Sequence, residues 1–260
     1  LGTISTNILG TANLLEAIRE LKSVKSAVIV TTDKVYDNKE KDYSFSEHDF
    51  LGGHDPYGAS KAAADIISQS YLKSFFPPEE YQKSHNTLIG IARAGNVLGG
   101  GDWSQDRIIP DIIRAVYEKK ETLLIRNPNS IRPWQHVLEP LAGYLILAKD
   151  LYNGRHDVSG AWNFGPRHEN SFKVIDLTES VFKKIGAGSY EISPDPSKYE
   201  AKFLLLDSER ASSILGWRPK LDFEATISLT AEWYRNFYGK TASPPELTGK
   251  QIGNYFRNEV

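Results

Sequence analysis

The chain has 260 residues, 40% of them apolar and 25% charged, with a formal net charge of −2. That is enough polypeptide for a sizeable core in one large domain or two lobes, with no basic excess to hold nucleic acid. It contains no Cys, which excludes both a disulfide framework and a thiolate metal site; no uninterrupted apolar run is long enough to cross a bilayer and no signal-peptide pattern is found, so no membrane partner is expected and the cytoplasm is the expected location.

The first predicted element is a helix over Thr6–Leu21, with Leu14, Leu15, Ile18 and Leu21 at helical spacing. The chain opens almost directly into this helix and contains no Met at all, as expected of a protein whose N-terminal part is missing. A β-rich strand follows at Ala27–Thr31, then a polar loop and a helix over Tyr57–Phe76, stopped by Pro77-Pro78. Thr87–Arg93 is largely apolar, as a central parallel strand should be. After it come a Gly-rich loop (Gly95–Gly101), a helix over Arg107–Lys119 and a short strand at Leu123–Ile125. A second loop, Asn127–Gln135, precedes a helix from about Glu139 to Tyr152, and Ala161–Gly165 reads as a strand and turn. Further helices are predicted at Phe172–Ile185, Ser208–Leu215 and Phe223–Tyr238, with a strand at Phe203–Leu206. The last twenty residues, with Pro244-Pro245, read as a partly ordered tail. Strands alternating with helices predict an α/β fold with a parallel sheet covered on both faces.

The chemistry concentrates between residues 27 and 61. Tyr57 and Lys61 are four apart on one predicted helix and so share a face. Alone, that spacing is what chance supplies, and its bland reading is a surface tyrosine beside a solvated lysine. The context argues otherwise: a strand ends at Thr32-Asp33-Lys34 roughly 20 residues upstream, the distance expected of an active-site loop, and the intervening Gly58-Ala59-Ser60 is slim enough for a cofactor to lie against the helix. For a phenol to act as a base near pH 7, its pKa must fall by about three units, roughly 4 kcal/mol of differential interaction. A neighbouring ammonium has the required sign. Thr32 is either a plain β-branched strand residue or a hydroxyl that orients the same substrate group. Asn96 in the Gly-rich loop, Arg107 at a helix start and Arg132 beside Trp134 are candidates for binding a pyrophosphate; Arg107 can alternatively cap its helix or pair with Asp111. Gly99-Gly100-Gly101 is either a flexible turn or, following a parallel strand, part of a ligand site. The six His lack metal-ligand spacing, so no metal is expected; His136 is placed to order its loop.

These residues carry a family resemblance. Asn7-Ile8-Leu9-Gly10-Thr11-Ala12-Asn13-Leu14-Leu15-Glu16-Ala17, Tyr57-Gly58-Ala59-Ser60-Lys61 and Leu215-Gly216-Trp217-Arg218-Pro219 resemble the extended short-chain dehydrogenase/reductases over nearly the whole chain. Thr32-Asp33-Lys34-Val35-Tyr36, the block Arg93–Trp103 and Arg132-Pro133-Trp134-Gln135-His136-Val137 are similar to the branch that dehydrates CDP-glucose. The resemblance implies a Rossmann-like doubly wound sheet that lacks its N-terminal βα units, on the order of 100 residues, because no strand–glycine–helix fingerprint is present. It also implies a smaller α+β substrate lobe. Expected boundaries are 1–95 with 135–165 for the remainder of the NAD-binding domain, 96–134 with 166–240 for the sugar-nucleotide lobe, and 241–260 for the tail.

The implied chemistry is an internal redox cycle with NAD as cofactor: Tyr57 takes the proton of the sugar 4-hydroxyl as hydride leaves C4, water is eliminated across C5 and C6, and hydride returns to C6. Asp33 is implied as the acid for the departing 6-hydroxyl. Lys34 stands where the dTDP-glucose branch has Glu; it is either the C5 base, which requires it neutral, or a charged ligand of the sugar. Thr32, Asp33, Lys34, Tyr57 and Lys61 form the implied catalytic set, Tyr57 and Lys61 also face the cofactor, and Asn96, Arg107 and Arg132 bind the nucleotide sugar. A homodimer through two helices, one of them the Tyr57–Phe76 helix, is implied too. The 260-residue chain alone is expected to be inactive or poorly folded. A dTDP-glucose dehydratase, a sugar-nucleotide 4-epimerase and a non-catalytic dinucleotide-binding scaffold are the alternative readings.

Overall fold

The computed structural model describes residues 1–39, 43–166, 171–194 and 204–257. In chain order its elements are helix α1, α-helical over Gly2–Ile4 and Gly10–Glu20 with a π segment at Ser5–Leu9 between; strand β1 (Ser26–Val30); a 3-10 turn at Asp33–Val35; β2 (Ser44–Phe45); α2 (Pro56–Phe75); β3 (Leu88–Ala94); and β4 (Val97–Leu98). Then follow α3 (Ile108–Ile113, continued as a π segment Arg114–Lys119), β5 (Leu123–Ile125), β6 (Ile131–Pro133), β7 (Gln135–His136), α4 (Leu138–Tyr152), β8 (Gly160–Phe164) and β9 (Ser171–Lys173). Last come α5 (Val174–Ile185), β10 (Tyr190–Ile192), β11 (Leu205–Leu206), α6 (Glu209–Ile214), α7 (Phe223–Tyr238) and α8 (Pro244–Arg257).

The chain divides into two compact units. One comprises Leu1–Gly95, Pro140–Gly165 and Leu204–Arg218; the other comprises Asn96–Glu139, Pro166–Phe203 and Pro219–Val260. The first unit is built on a parallel sheet in the order β1-β3-β8, with Val28 opposite Gly90 and Ala92 opposite Trp162. All seven residues of β3 are buried, which is why its sequence is a near-continuous apolar run. Leu15, Ile18, Ile29 and Ile89 pack together with Phe76, while Leu88, Leu147, Leu151, Trp162 and Phe164 pack with Trp217. This is the α/β architecture the sequence predicts.

The second unit packs α3, α5 and α7 around Ile112, Ile113, Leu177, Val181, Phe223 and Ile227. Short ladders edge it: β4 with β7 and β5 with β10, both parallel, and β6 antiparallel to β9. The predicted helix over Phe172–Ile185 therefore begins as a strand, Ser171–Lys173, and turns helical only at Val174, where Asp176 accepts the backbone N–H of Lys173 at 3.1 Å. Phe203, the first residue of another predicted strand, lies outside the described residues.

The expectation of a C-terminal tail is corrected. Residues Pro244–Arg257 form a helix with Leu247 and Tyr255 buried. Its start is fixed by Glu246, which accepts from both the backbone N–H and the hydroxyl of Ser243, at 2.8 and 2.7 Å, and the prolines occupy the first helical positions. The Pro-Pro pair thus begins a helix instead of marking its absence.

Candidate active site

β1 ends at Val30 and delivers Thr31, Thr32 and Asp33 to a tight turn. Thr31 continues the ladder, its N–H donating to the Ala92 carbonyl at 2.8 Å. Thr32 is extended and caps the 3-10 turn: its hydroxyl accepts from the Lys34 backbone N–H at 3.4 Å and donates to Asp33 Oδ1 at 3.0 Å. Both Thr32 and Asp33 are buried. The other carboxylate oxygen of Asp33 leaves no room beside it, since a Cβ on Gly95 would fall 2.7 Å away.

The helix opposite this turn is fixed at its first residues. Asp55 caps α2 by accepting from the N–H groups of Tyr57 and Gly58 at 2.9 and 3.0 Å, and Pro56 occupies the first helical position. Lys34 Nζ lies 3.9 Å from the other oxygen of the same carboxylate. A Cβ on Gly58 would meet the Lys34 carbonyl at 2.9 Å, and one on Gly53 would overlap the backbone of Gly58. The small residue after Tyr57 therefore makes room for the protein's own strand tip. One turn on, Lys61 Nζ donates to the Val30 carbonyl at 3.2 Å, and partial burial lowers its pKa.

Three further residues join this region without any local sequence signal. Asn7, in the π segment of α1, donates to Ser60 Oγ at 2.9 Å, and Ser60 donates to the Tyr57 carbonyl at 2.7 Å. Tyr144 on α4 has its phenol pushed well above the usual value by burial, with the charges of Asp33 and Tyr57 adding to it. The start of α2, which bears Tyr57 and Lys61, thus lies against the turn that bears Thr32, Asp33 and Lys34, all in the first unit, with 41% of Tyr57 left exposed.

Asn96, Arg107 and Arg132 belong to the second unit. Asn96 immediately precedes β4, whose Val97 is in register with Gln135, three residues from Arg132. The Arg132 guanidinium donates to the carbonyl of Ile131 at 2.8 Å. Arg107 neither caps its helix through its side chain nor pairs with Asp111: it lies 3.7 Å from Asp102, while Asp111 is taken by Arg114, three residues along and so on the same face. The glycine run is not an open turn. A Cβ on Gly99 would meet Val137 at 2.8 Å and one on Gly100 would overlap the Trp233 indole. His136 is buried, its Nδ1 accepts from the Leu138 N–H at 3.4 Å, and desolvation lowers its pKa to about 4, so a neutral ring orders the entry to α4.

The family model described as GDP-mannose 4,6 dehydratase matches residues 1–230. Among curated relatives, the CDP-glucose 4,6-dehydratase of Salmonella typhimurium is 41% identical over 234 residues, 90% of this chain and 65% of that protein. The dTDP-glucose 4,6-dehydratase of Streptomyces antibioticus is 28% identical, with 90% and 64% covered. The chain therefore spans just under two thirds of the length of these relatives. The crystal structure of a dTDP-glucose 4,6-dehydratase from Bacillus anthracis in complex with NAD shares the fold, with a TM-score of 0.73 at 24% identity over 90% of this chain and 68% of that one. A UDP-glucuronic acid 4-epimerase from Bacillus cereus shares it with a TM-score of 0.74 at 20% identity, over 90% and 69%.

Proposed function

The chain belongs to the GDP-mannose 4,6-dehydratase family, and we propose that the protein dehydrates CDP-glucose to CDP-4-keto-6-deoxy-glucose, using NAD, in deoxysugar synthesis for a surface polysaccharide such as an O-antigen. The observation that carries this reading is the seating of the Tyr57–Lys61 helix on the strand tip that bears Thr32, Asp33 and Lys34, in a chain 41% identical to a protein of that name. NAD, when bound, supplies the hydride acceptor for C4 and returns the hydride to C6.

The residues present fit the nicotinamide end of such a cofactor. Lys61 offers three N–H donors on an ammonium, of which the Val30 carbonyl takes one, and it stands one turn from Tyr57. Tyr57 takes the proton from the sugar 4-hydroxyl, and the Lys61 ammonium stabilises its phenolate. Thr32 orients that hydroxyl, its own hydroxyl anchored to Asp33 Oδ1. Once C4 is a ketone the C5 proton is acidic, and Asp33 gives its proton to the departing 6-hydroxyl. Lys34 is assigned to the C5 proton. Its Nζ lies 3.9 Å from Asp55, a contact that substrate entry has to loosen before Lys34 reaches C5. Asn96, Arg107 and Arg132 are assigned to the nucleotide diphosphate, Arg107 exchanging Asp102 for a phosphate oxygen.

A homodimer is part of the proposal, supported by the exposed apolar side chains Leu9 and Leu14 on α1 and Ile66 on α2. Among the described residues no helix is long and apolar enough to cross a membrane, and the proposed location is the cytoplasm.

The test is turnover of CDP-, dTDP- and UDP-glucose by the full-length protein, with product analysis. A 4-keto-6-deoxy product from CDP-glucose supports the reading; an inverted C4 hydroxyl makes the protein an epimerase. Tyr57→Phe should lower kcat by about 10²- to 10⁴-fold, and unchanged turnover in that variant would remove the base from the scheme.

A further inference from the structure

Eight residues beyond Tyr57 and four beyond Lys61, α2 carries a completely buried carboxylate, Asp65. It meets Arg93 of β3 fork to fork: Nε donates to Oδ2 and Nη2 to Oδ1, both at 2.8 Å, with both side chains almost wholly out of solvent. Asp65 Oδ2 also accepts the Thr31 hydroxyl at 3.2 Å, and Oδ1 accepts Gln69 Nε2 at 2.7 Å. The remaining Arg93 nitrogen, Nη1, donates to Tyr36 Oη at 2.9 Å and to the Glu47 carbonyl at 3.2 Å. Tyr36 in turn donates to Asn163 Oδ1 on β8 at 2.7 Å, and its backbone N–H closes the turn on the Asp33 carbonyl at 3.3 Å.

One guanidinium therefore spans the chain segment that holds Thr32, Asp33 and Lys34. Thr31, just before the segment, is tied to Arg93 through Asp65; Tyr36, just after it, is tied to Arg93 directly. The same Asp65 belongs to the helix of Tyr57 and Lys61. A buried ion pair is a poor source of net stability, because desolvation offsets most of the Coulombic gain and an apolar pair of similar volume often does as well. What the fork does supply is direction: five N–H donors in one plane leave little freedom to the groups they bind.

We infer that Arg93 and Asp65, with Tyr36, are positioning residues that set the distance between the helix of Tyr57 and Lys61 and the strand tip of Thr32, Asp33 and Lys34. The inference rests on the proposed dehydration, in which proton transfer at Tyr57 requires that distance to hold within a fraction of an ångström.

The test uses the full-length protein with Tyr36→Phe, which changes no charge, and Arg93→Lys, which keeps the charge but loses the fork. At temperatures well below the melting point of each variant, kcat with CDP-glucose should fall roughly tenfold for Tyr36→Phe and more for Arg93→Lys, while KM stays within about twofold. The Lys61 amine, titrated by NMR on labelled lysine, should return toward the ordinary lysine value as its seat on Val30 loosens. Lower melting temperatures with unchanged kcat and an unchanged Lys61 titration would overturn the inference and leave the pair as a fold-stabilising contact only. If the wild-type protein turns over no nucleotide hexose, the functional reading fails. The Lys61 titration then still decides: a shift in both variants supports the positioning role, and none in either overturns it.

Discussion

Tyr57 and Lys61 are legible in the sequence because they stand four residues apart along one helix, and Thr32 is legible because it ends an apolar strand in a block that resembles a known family. The residues that hold them in place are not legible. Asp65 and Arg93 are 28 positions apart, Asn7 and Ser60 are 53 apart, and Tyr144 reaches the site from another helix, so no spacing rule connects them. Lys34 is the residue whose role the geometry sharpens most. An arginine keeps charge and hydrogen-bonding reach but does not deprotonate. Lys34→Arg should therefore cost about 10²- to 10⁴-fold in kcat if Lys34 takes the C5 proton; activity close to wild type would make it a charged ligand of the sugar. His136 gives a pH prediction. Its folded pKa of about 4 lies below the unfolded value of 6.5, so the unfolded chain binds more protons between those values. The stability this imidazole contributes is present above pH 6.5 and is lost as the pH falls toward 4. Urea melts at pH 7 and pH 5 should show wild type losing about 2 kcal/mol more than His136→Asn; equal losses would mean that the ring is not held neutral by burial.

Long elements are legible in the sequence, and so are two short strands, β5 and β11, whose apolar residues stand out between polar flanks. β3, α2 and α7 carry enough residues for periodicity or continuous apolarity to show, whereas β2, β4 and β7 are two-residue ladders whose partners lie far along the chain. α8 is hidden for a different reason: Pro244-Pro245 reads as a breaker unless the contact of Ser243 with Glu246 around it is recognised. That helix is fastened at its far end too. Glu139, buried on α4, accepts from the N–H groups of Lys220 and Leu221 at 2.9 and 2.7 Å and from Tyr255 Oη at 2.8 Å. Burial raises the Glu139 pKa, and these three donors act against that shift. Ser243→Ala should cost about 0.5–2 kcal/mol through its contact with Glu246. Tyr255→Phe should cost about 1 kcal/mol, because Glu139 keeps its two backbone donors. Denaturant melts measure both, and a Tyr255→Phe variant that is as stable as wild type would show that α8 is held by apolar packing alone.

At the scale of the whole molecule, the α/β class followed from strands and helices alternating over long segments, and the shared fold of the dehydratase and epimerase structures agrees with it. The proposed dimer belongs to this scale as well. Within the first unit, α1 buries Leu15 and Ile18, while α2 is tied to it by Asn7–Ser60 and by Tyr71, which donates to Glu16 at 2.9 Å. With the inward stripe satisfied, Leu9, Leu14 and Ile66 remain more than half exposed on two helices that pack on each other. A stable pairing needs roughly 800 Å² from each partner, so these side chains would form its centre and not its whole extent. A carboxylate placed there is left without a counter-ion in the dimer yet is well solvated in the monomer. Leu14→Glu with Ile66→Glu should therefore yield a folded monomer by sedimentation velocity, at a concentration where wild type sediments as a dimer. A wild-type protein that is already monomeric, or a double variant that still pairs, would move the interface off these two helices or remove it.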